Sequence, residues 1–442
     1  MKLKNTIILL LIFYSINIFA QNSNKMNLQQ CIDTAINNNL NILQSINSLE
    51  INKLTYFQSK NFYLPVVSVS ANETYNKGFF NTQSQSSNSS WNTDFGVSAG
   101  FILFDGFKNL NSIKQNEAYY KSSDFELQDL RYTLTIEAVN VYLQILYTKE
   151  AIKIAENQVN ASMEQEKIID AFVSAGKLPE SDLYLIKSQT ATDKLTLITG
   201  KNQLKTSKLN LQQLMEIPVN EDFDIENYDS LKVPSYRIES AEDIYSQSLK
   251  VMPKLKLFEQ RIEIEKIKLN SLENYYLPRL SLNTGISTNY ANRMQGFENT
   301  ETFGSQFKNN SGMYVSLSLS IPIFSKFQNK TNIKIQQIQV ESSLTQQKAQ
   351  FNSLRKEVEL ACNDANNAIG KFDALSEQLK AVRISYGISK AKFESGLLSA
   401  TDLLIEKNKM IKSESDLLQA KYDLIFKLKI LDYYKGNVIS IE

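Results

Sequence analysis

Asn61-Phe62-Tyr63-Leu64-Pro65 and Asn274-Tyr275-Tyr276-Leu277-Pro278 are two versions of one motif, 213 positions apart. A second motif, Ser174-Ala175-Gly176-Lys177-Leu178-Pro179-Glu180-Ser181-Asp182-Leu183, returns 220 positions later as Glu394-Ser395-Gly396-Leu397-Leu398-Ser399-Ala400-Thr401-Asp402-Leu403. Because both the order and the spacing are kept, the chain is a tandem repeat. Each half reads as a helix, Leu-Pro, a strand, a polar loop, a strand, a long helix, a Gly turn and a helix.

The duplication predicts the domain boundaries. The first repeat covers 21–216, with a strand hairpin at 64–104 and a helical hairpin at 106–216. The second repeat covers 239–435, with a strand hairpin at 278–323 and a helical hairpin at 325–435. An acidic linker, 217–238, joins the repeats, and a short tail, 436–442, follows them.

Four segments alternate apolar and small polar residues, which is the period of a strand with unlike faces. In one of them Val97, Ala99 and Phe101 alternate with Gly96, Ser98 and Gly100. The predicted length of roughly 10 to 12 residues and the aromatic ends are typical of a transmembrane barrel with lipid outside and water inside. A soluble sandwich has a similar pattern, so the strands alone leave both interpretations open. The polar loops at 76–91 and 291–311 are predicted to be the extracellular hairpin ends.

The helical segments favour the membrane interpretation. No glycine or proline interrupts the chain between Phe107 and Ala175, and a helix of that length extends about 100 Å. Gly370 and Gly387 are the only such residues in the matching region of the second half. Apolar pairs then recur every seven residues from Leu403-Leu404, which predicts coiled-coil packing against a neighbouring helix.

The first twenty residues have the features of a secretory signal peptide. Lys2 and Lys4 precede a short apolar run that ends before Ala20, and this run is too short to span a bilayer as a helix. A signal peptide at 1–20 is therefore expected. No cysteine follows directly, so a lipid anchor is not expected.

The composition argues against an enzyme. The chain has no histidine, the residue that most often serves as a general acid or base and as a transition-metal ligand. Cys31 and Cys362 form no metal-ligand cluster, and two free packed thiols are expected more than a single bridge between them. We predict no cofactor, no metal site and no catalytic residues. The formal net charge of +1 gives no indication of a nucleic-acid partner.

Four strands cannot close a barrel, and lipid does not tolerate an open sheet edge. Two copies would supply eight strands, whose interior is filled by side chains or one small ligand, whereas three would supply twelve around a water-filled lumen. The sequence therefore predicts a trimer.

With its duplicated Leu-Pro hairpins, paired long helices and Gly turns, the chain resembles the TolC-like outer membrane efflux protein family. The resemblance implies a mixed α and β membrane protein: a homotrimer with a 12-stranded outer-membrane barrel above a long periplasmic α-helical coiled-coil barrel. It also implies a passive duct of a tripartite efflux or type I secretion system. The implied partners are outer-membrane lipid, a periplasmic adaptor and an inner-membrane pump, either a proton-driven antiporter or an ATP-driven exporter. The cargo would be drugs, metals or proteins.

The resemblance also assigns roles to the two Gly turns. They would be the periplasmic tips that meet the adaptor, with Gly176, Lys177, Leu178, Gly396, Leu397 and Leu398 as docking residues. Asp402 aligns with an aspartate that helps to constrict the pore entrance in relatives, and Asp182 holds the same place in the first half, so both are candidate gate residues. Ile405 stands where the family pattern has a second acidic residue. The alternative role for both aspartates is to stabilise the first turn of a helix.

One other class of function fits the same pattern. The chain could be a periplasmic or surface structural protein in which helical hairpins form a coiled-coil scaffold and the strands form a soluble sheet. Recovery as a soluble monomer would favour the scaffold, whereas a heat-labile oligomer in the outer membrane would favour the duct.

Overall fold

Two repeats of helices, a strand pair and a long helical hairpin follow one another in the computed structural model, which describes residues 25–79, 87–227, 238–293, 302–437 and 439. The signal-peptide prediction lies outside these residues. The helices are α1 (Leu28–Asn38), α2 (Leu40–Lys60), α3 (Lys108–Ser174), α4 (Glu180–Leu214), α5 (Ala241–Val251), α6 (Pro253–Glu273), α7 (Phe303–Asn309), α8 (Gln328–Glu394) and α9 (Ala400–Lys435). The strands are β1 (Val66–Phe79), β2 (Ser87–Phe104), β3 (Arg279–Arg293) and β4 (Gly312–Ser320), and 3-10 turns occupy Asn61–Tyr63 and Asn274–Tyr276.

The chain divides into two compact units. The helical unit comprises Met1–Ile46, Leu127–Pro253 and Gln350–Glu442, and the sheet unit comprises Asn47–Glu126 and Lys254–Ala349. The long helices α3 and α8 each contribute to both units.

The four strands form one antiparallel sheet in the order β1-β2-β3-β4. Val97 of β2 pairs with Val69 of β1 and with Ile286 of β3, which in turn pairs with Met313 of β4. The alternation in the sequence thus correctly predicts which residues share a face, except at the end of β2. There a register shift between Ile102 and Phe104 places Phe104, and not Leu103, opposite Leu280.

The predicted strand lengths were wrong for all four strands, which have 14, 18, 15 and 9 residues. β1 and β2 continue into the predicted polar loop, where Asn76 pairs with Ser90, because ladder hydrogen bonds join main-chain groups whatever the side chains are. β4 ends at Ser320 and leaves out Ile321 and Ile323, since Pro322 between them has no N–H to donate.

The long helices agree with the sequence prediction. α3 and α8 each have 67 residues, and α8 continues through Gly370 and Gly387 without a break. No helix in the described part of the chain combines the length and apolar character needed to cross a membrane.

Each unit has its own packed interior. In the helical unit, Ala368 of α8 packs with Leu424 and Leu428 of α9. In the sheet unit, Ala118 of α3 packs with Ile264 and Ile267 of α6. Hydrogen bonds reinforce this second set, since Asn111 Nδ2 donates to Asn270 Oδ1 over 3.0 Å and Gln336 Nε2 donates to Glu265 Oε2 over 2.6 Å.

The described part of the acidic linker is attached to the helical unit. Met26 forms a parallel bridge with Ile225, and the Nζ atom of Lys149 donates to the Ile225 carbonyl oxygen over 3.0 Å. Asp224 forms ion pairs with Lys149 and Lys208 at 2.6 and 3.0 Å. Asp224 therefore has a structural role that composition alone does not reveal.

Cys31 and Cys362 are both buried and free, as the sequence led us to expect, so no disulfide joins them. Burial raises the pKa of the Cys31 thiol to about 12. This thiol is therefore protonated at neutral pH and is a poor nucleophile.

Candidate functional site

The sheet has two chemically opposite faces. The apolar face is largely exposed: Val69 is 78% and Met313 is 73% accessible, although both have neighbouring strands. On the other face Ser68 and Ser98 pair across β1 and β2, and their hydroxyl oxygens are 2.9 Å apart. An exposed apolar sheet face of this kind marks a surface that contacts lipid or another protein.

The apolar face includes residues from all four strands. They are Val67, Val69, Ala71, Tyr75, Trp91, Phe95, Val97, Ala99, Phe101, Leu280, Leu282, Ile286, Tyr290, Met313, Val315, Leu317 and Leu319.

The two Gly turns have the same backbone geometry. Gly176 has φ of 69°, its N–H donates to the Val173 carbonyl over 2.9 Å, and the Lys177 N–H donates to the Phe172 carbonyl over 2.9 Å. Equivalent bonds of 2.9 and 2.8 Å end α8 at Gly396, which has φ of 75°. This is a Schellman motif, in which a left-handed residue lets the last carbonyls of the helix accept hydrogen bonds. The turn positions predicted from the sequence are therefore correct.

The tips of the two helical hairpins pack together. Their shared interior, the tip cluster, consists of Ile169, Ile186, Phe393, Ala400 and Leu403, and Leu178 and Leu398 pack against it. The structure thus brings together two turns that are about 220 positions apart in the sequence.

The two leucines of the second tip differ in exposure. The side chain of Leu397 is 77% accessible, whereas Leu398 is partly buried against the tip cluster. Of the two leucines, Leu397 therefore presents the larger part of its side chain at the surface. Lys177 occupies the position of Leu397 in the first tip, and its Nζ atom lies 5.7 Å from the centroid of the Phe172 ring.

The two candidate gate aspartates have different surroundings. The Asp402 carboxylate is exposed and accepts a hydrogen bond from the Ser399 hydroxyl over 2.7 Å, while the Ser399 oxygen accepts the Asp402 N–H over 3.1 Å. The N-cap of α9 is therefore Ser399, and Asp402 supports it. Asp182 is half-buried, and the N-cap of its helix is Pro179, whose side chain forms no capping hydrogen bond.

A buried polar cluster that was not predicted from the sequence lies between α3, α4 and α9. Lys407 is only 1% exposed, and its Nζ atom donates to the Ser162 hydroxyl over 2.9 Å. Ser162 donates in turn to Asp193, which also accepts hydrogen bonds from Gln158 and Gln189 over 3.1 and 2.7 Å. Burial lowers the pKa of the Lys407 ammonium, and the negative charge of Asp193 opposes this shift.

One signal for this cluster exists in the sequence. Lys407 lies four residues after Leu403 and three before Met410, so it occupies the apolar stripe of α9. A lysine in such a stripe indicates a buried charge with a polar partner.

In the described part of the chain, no group of three or more His, Cys, Asp or Glu residues is placed to hold a metal ion. The features described above are the two faces of the sheet, the joined tips and the buried polar cluster between the hairpins.

The family described as outer membrane efflux protein matches residues 31–215 and 244–432 of the chain. The chain belongs to this family. The two matched segments fall one in each repeat. They end at residues 215 and 432, within three residues of the ends of the helical hairpins predicted at 106–216 and 325–435.

Individual relatives are distant in sequence but similar in fold. The cation efflux system protein CusC of Escherichia coli strain K12 is 20% identical over 333 residues, which are 74% of this chain and 69% of CusC. The outer membrane channel CmeC of Campylobacter jejuni superposes with a TM-score of 0.79 at 15% identity, covering 96% of this chain and 89% of CmeC. The open state of the Neisseria gonorrhoeae outer membrane channel MtrE superposes with a TM-score of 0.77 at 17% identity, covering 94% of this chain and 90% of MtrE.

Membership of the family confirms the resemblance noted in the sequence. The chain is an outer-membrane channel component of a tripartite efflux system, and it is located in the outer membrane and extends into the periplasm. The family is one of channels rather than of enzymes.

Proposed function

We propose that three copies of the chain close into one twelve-stranded barrel and form a passive duct for export. The observation that carries this proposal is the four-stranded sheet, whose outer strands β1 and β4 each have one strand neighbour among the described residues. Lipid does not tolerate such edges, so β1 of one copy pairs with β4 of the next. Three copies leave a water-filled lumen, whereas two would give a barrel filled by its own side chains.

The chemistry of the faces supports this arrangement. Residues such as Val69, Ile286 and Met313 would face lipid, and the serines at positions 68 and 98 would face water in the lumen. Neither face needs to recognise the cargo, because a passive tunnel only has to exclude lipid and admit water.

The joined tips are the proposed docking surface for a periplasmic adaptor. The six tip residues form two exposed turns around one buried cluster, and Leu397 presents most of its side chain to a partner. An apolar side chain at the apex of a rigid turn can enter a pocket of the adaptor at little entropic cost.

Asp402 and Asp182 remain the proposed gate residues. In a trimer, three copies of each would surround the pore axis near the tips, and rings of carboxylates attract cations. Of the two carboxylates, that of Asp402 has a hydrogen-bond partner in its own helix turn, Ser399.

The duct would receive cargo from an inner-membrane pump, either a proton-driven antiporter or an ATP-driven exporter, including a type I secretion system. Drugs, metals or proteins are the proposed cargo. The name of the relative CusC, a cation efflux system protein, supports the metals among these.

The test is the state of the purified protein. The duct should be extracted from the outer membrane as an oligomer of three chains that dissociates on heating, and it should conduct ions in planar bilayers. Recovery of a soluble monomer, or of a membrane oligomer without conductance, would instead favour the coiled-coil scaffold.

A further inference from the structure

The short helix α7 lies against the apolar face of the sheet. The ring of Phe307 is 5.7 Å from that of Phe95 on β2, and the ring of Phe303 is 5.1 Å from that of Tyr290 on β3, measured between centroids. Phe95 and Tyr290 belong to the apolar face, because they lie an even number of residues from Val97 and Ile286. The described part of the connection between β3 and β4 therefore folds back onto the apolar face of the sheet.

α7 also lies beside the part of β3 that β4 does not reach. β4 pairs with β3 only up to Ser287, so the remaining residues of β3 have no described strand partner on that side. The Gln306 side chain accepts from the Ala291 N–H over 3.1 Å and donates to its carbonyl over 3.4 Å. Asn310 Nδ2 donates to the Asn289 carbonyl over 2.8 Å. These amides satisfy main-chain groups that would be costly to expose to lipid.

The level of α7 along the strands corresponds to a membrane interface. Tyr75 and Trp91 form an aromatic pair at the loop end of the sheet, with centroids 4.9 Å apart. From Trp91 to Phe101 the strand rises about 33 Å, or about 25 Å along the membrane normal at the usual barrel tilt. This is the height of the apolar band between two aromatic girdles. α7 contacts Ala291, which pairs with Asn92, and Phe95, so it lies one to four residues along β2 from the Trp91 girdle.

The two phenylalanines of α7 remain half exposed. Phe303 is 51% and Phe307 is 42% accessible, even though both rings contact the sheet. Their free surface continues the apolar face, and aromatic side chains are favoured where lipid meets water.

We propose that α7 is an interfacial helix that seals the outer edge of β3 and embeds Phe303 and Phe307 in the outer-leaflet lipid. The inference rests on the proposed function, since it requires the sheet to form a membrane barrel. The partner of this surface is lipid at the boundary between headgroups and acyl chains.

Tryptophan fluorescence tests the proposal on the full-length protein in vesicles. Trp91 is the only tryptophan of the chain, so Trp91→Phe removes the background signal. Phe307→Trp or Phe303→Trp then reports on α7. Val97→Trp on the apolar face and Ser98→Trp on the polar face are the matched controls. Quenching is measured with a mixture of phosphatidylcholines brominated at shallow and at deep positions of the acyl chains, and with aqueous acrylamide.

We expect brominated lipid to quench both α7 reporters as strongly as Val97→Trp, with emission shifted to the blue of that of Ser98→Trp. Reporters on α7 that respond to acrylamide like Ser98→Trp would place the helix in water and overturn the inference. Shielding of both reporters from lipid and acrylamide alike would overturn it in favour of contact with a neighbouring copy. If Val97→Trp itself escapes the lipid quencher, the membrane barrel of the proposed function fails as well.

Discussion

Replacing Leu397 with Asp should separate docking from folding at the tip. Full burial of a leucine side chain contributes about 1.5 to 3 kcal/mol. Because 77% of Leu397 is still accessible, about 1.2 to 2.3 kcal/mol of this remains available to a partner at each tip. Losing it should weaken adaptor binding about 8- to 50-fold per tip, and desolvation of the new carboxylate should weaken binding further. The stability of the trimer should change by less than about 0.5 kcal/mol, as is usual for surface substitutions.

Leu398→Asp is the matched control, because Leu398 packs against the tip cluster. A carboxylate there would be partly buried without a partner, so this variant should lower the melting temperature as well as the affinity. Both variants would be measured for adaptor binding by surface plasmon resonance and for melting by circular dichroism. Wild-type affinity of Leu397→Asp would refute the docking role of the tip. A melting temperature lowered equally in both variants would refute the difference in exposure on which the reasoning rests.

Substitutions at four further positions test other parts of the structure. Gly396→Ala should lower the free energy of unfolding by about 1 to 2 kcal/mol through its positive φ alone, because the surroundings of Gly396 leave room for a Cβ. Gly436 has the same φ, but the Cβ of Gly436→Ala would overlap Cγ1 of Val251. Gly436→Ala should therefore lower the free energy of unfolding in denaturant by about 1 to 3 kcal/mol more than Gly396→Ala does. Adding Val251→Ala should recover that difference. Lys407→Met should cost about 1.5 to 3 kcal/mol through the lost charged hydrogen bond, and unchanged unfolding would show that desolvation of the ammonium cancels that bond. Asp402→Asn should reduce cation selectivity in bilayer recordings if Asp402 forms the gate of the pore. If Asp402 only stabilises its helix, the variant should lower the free energy of unfolding by less than about 1 kcal/mol and leave selectivity unchanged.

The repeat, the helices and the faces of the sheet could be predicted because each depends on local periodicity. Alternation places Val67 and Val69 on one face of β1 whatever that strand pairs with, and the glycine-free run after Phe107 can be read without knowing what it packs against. The duplication then supplied the order of the elements. The length of the strands was less predictable, because main-chain ladders extend through polar residues such as Asn76 and end at Pro322.

The features that were missed depend on contacts between distant residues. α7 has seven residues and a polar composition, and it is held by Gln306, which bonds to Ala291 fifteen positions earlier. No local pattern predicts a helix of this length, since isolated short helices are unstable in water. The bond from Lys407 to Ser162 spans 245 positions, and only the packing of two hairpins reveals it.

The two candidate gate residues are not equivalent, although the duplication gives them matching positions. Asp182 and Asp402 occupy matching positions, six residues after the glycine of each tip. The N-cap residue differs, however: Ser399 holds the carboxylate of Asp402, whereas Pro179 has no group that could do so for Asp182. A carboxylate fixed within its own helix turn keeps its orientation when the tips move, while one without that bond can turn towards a passing cation. We therefore infer that Asp182→Asn tests the gate without disturbing a cap, and that the two substitutions should be compared in the same recordings. A change in selectivity in Asp402→Asn alone would show that the ring needs the fixed carboxylate, and a change in Asp182→Asn alone would assign the gate to the first tip.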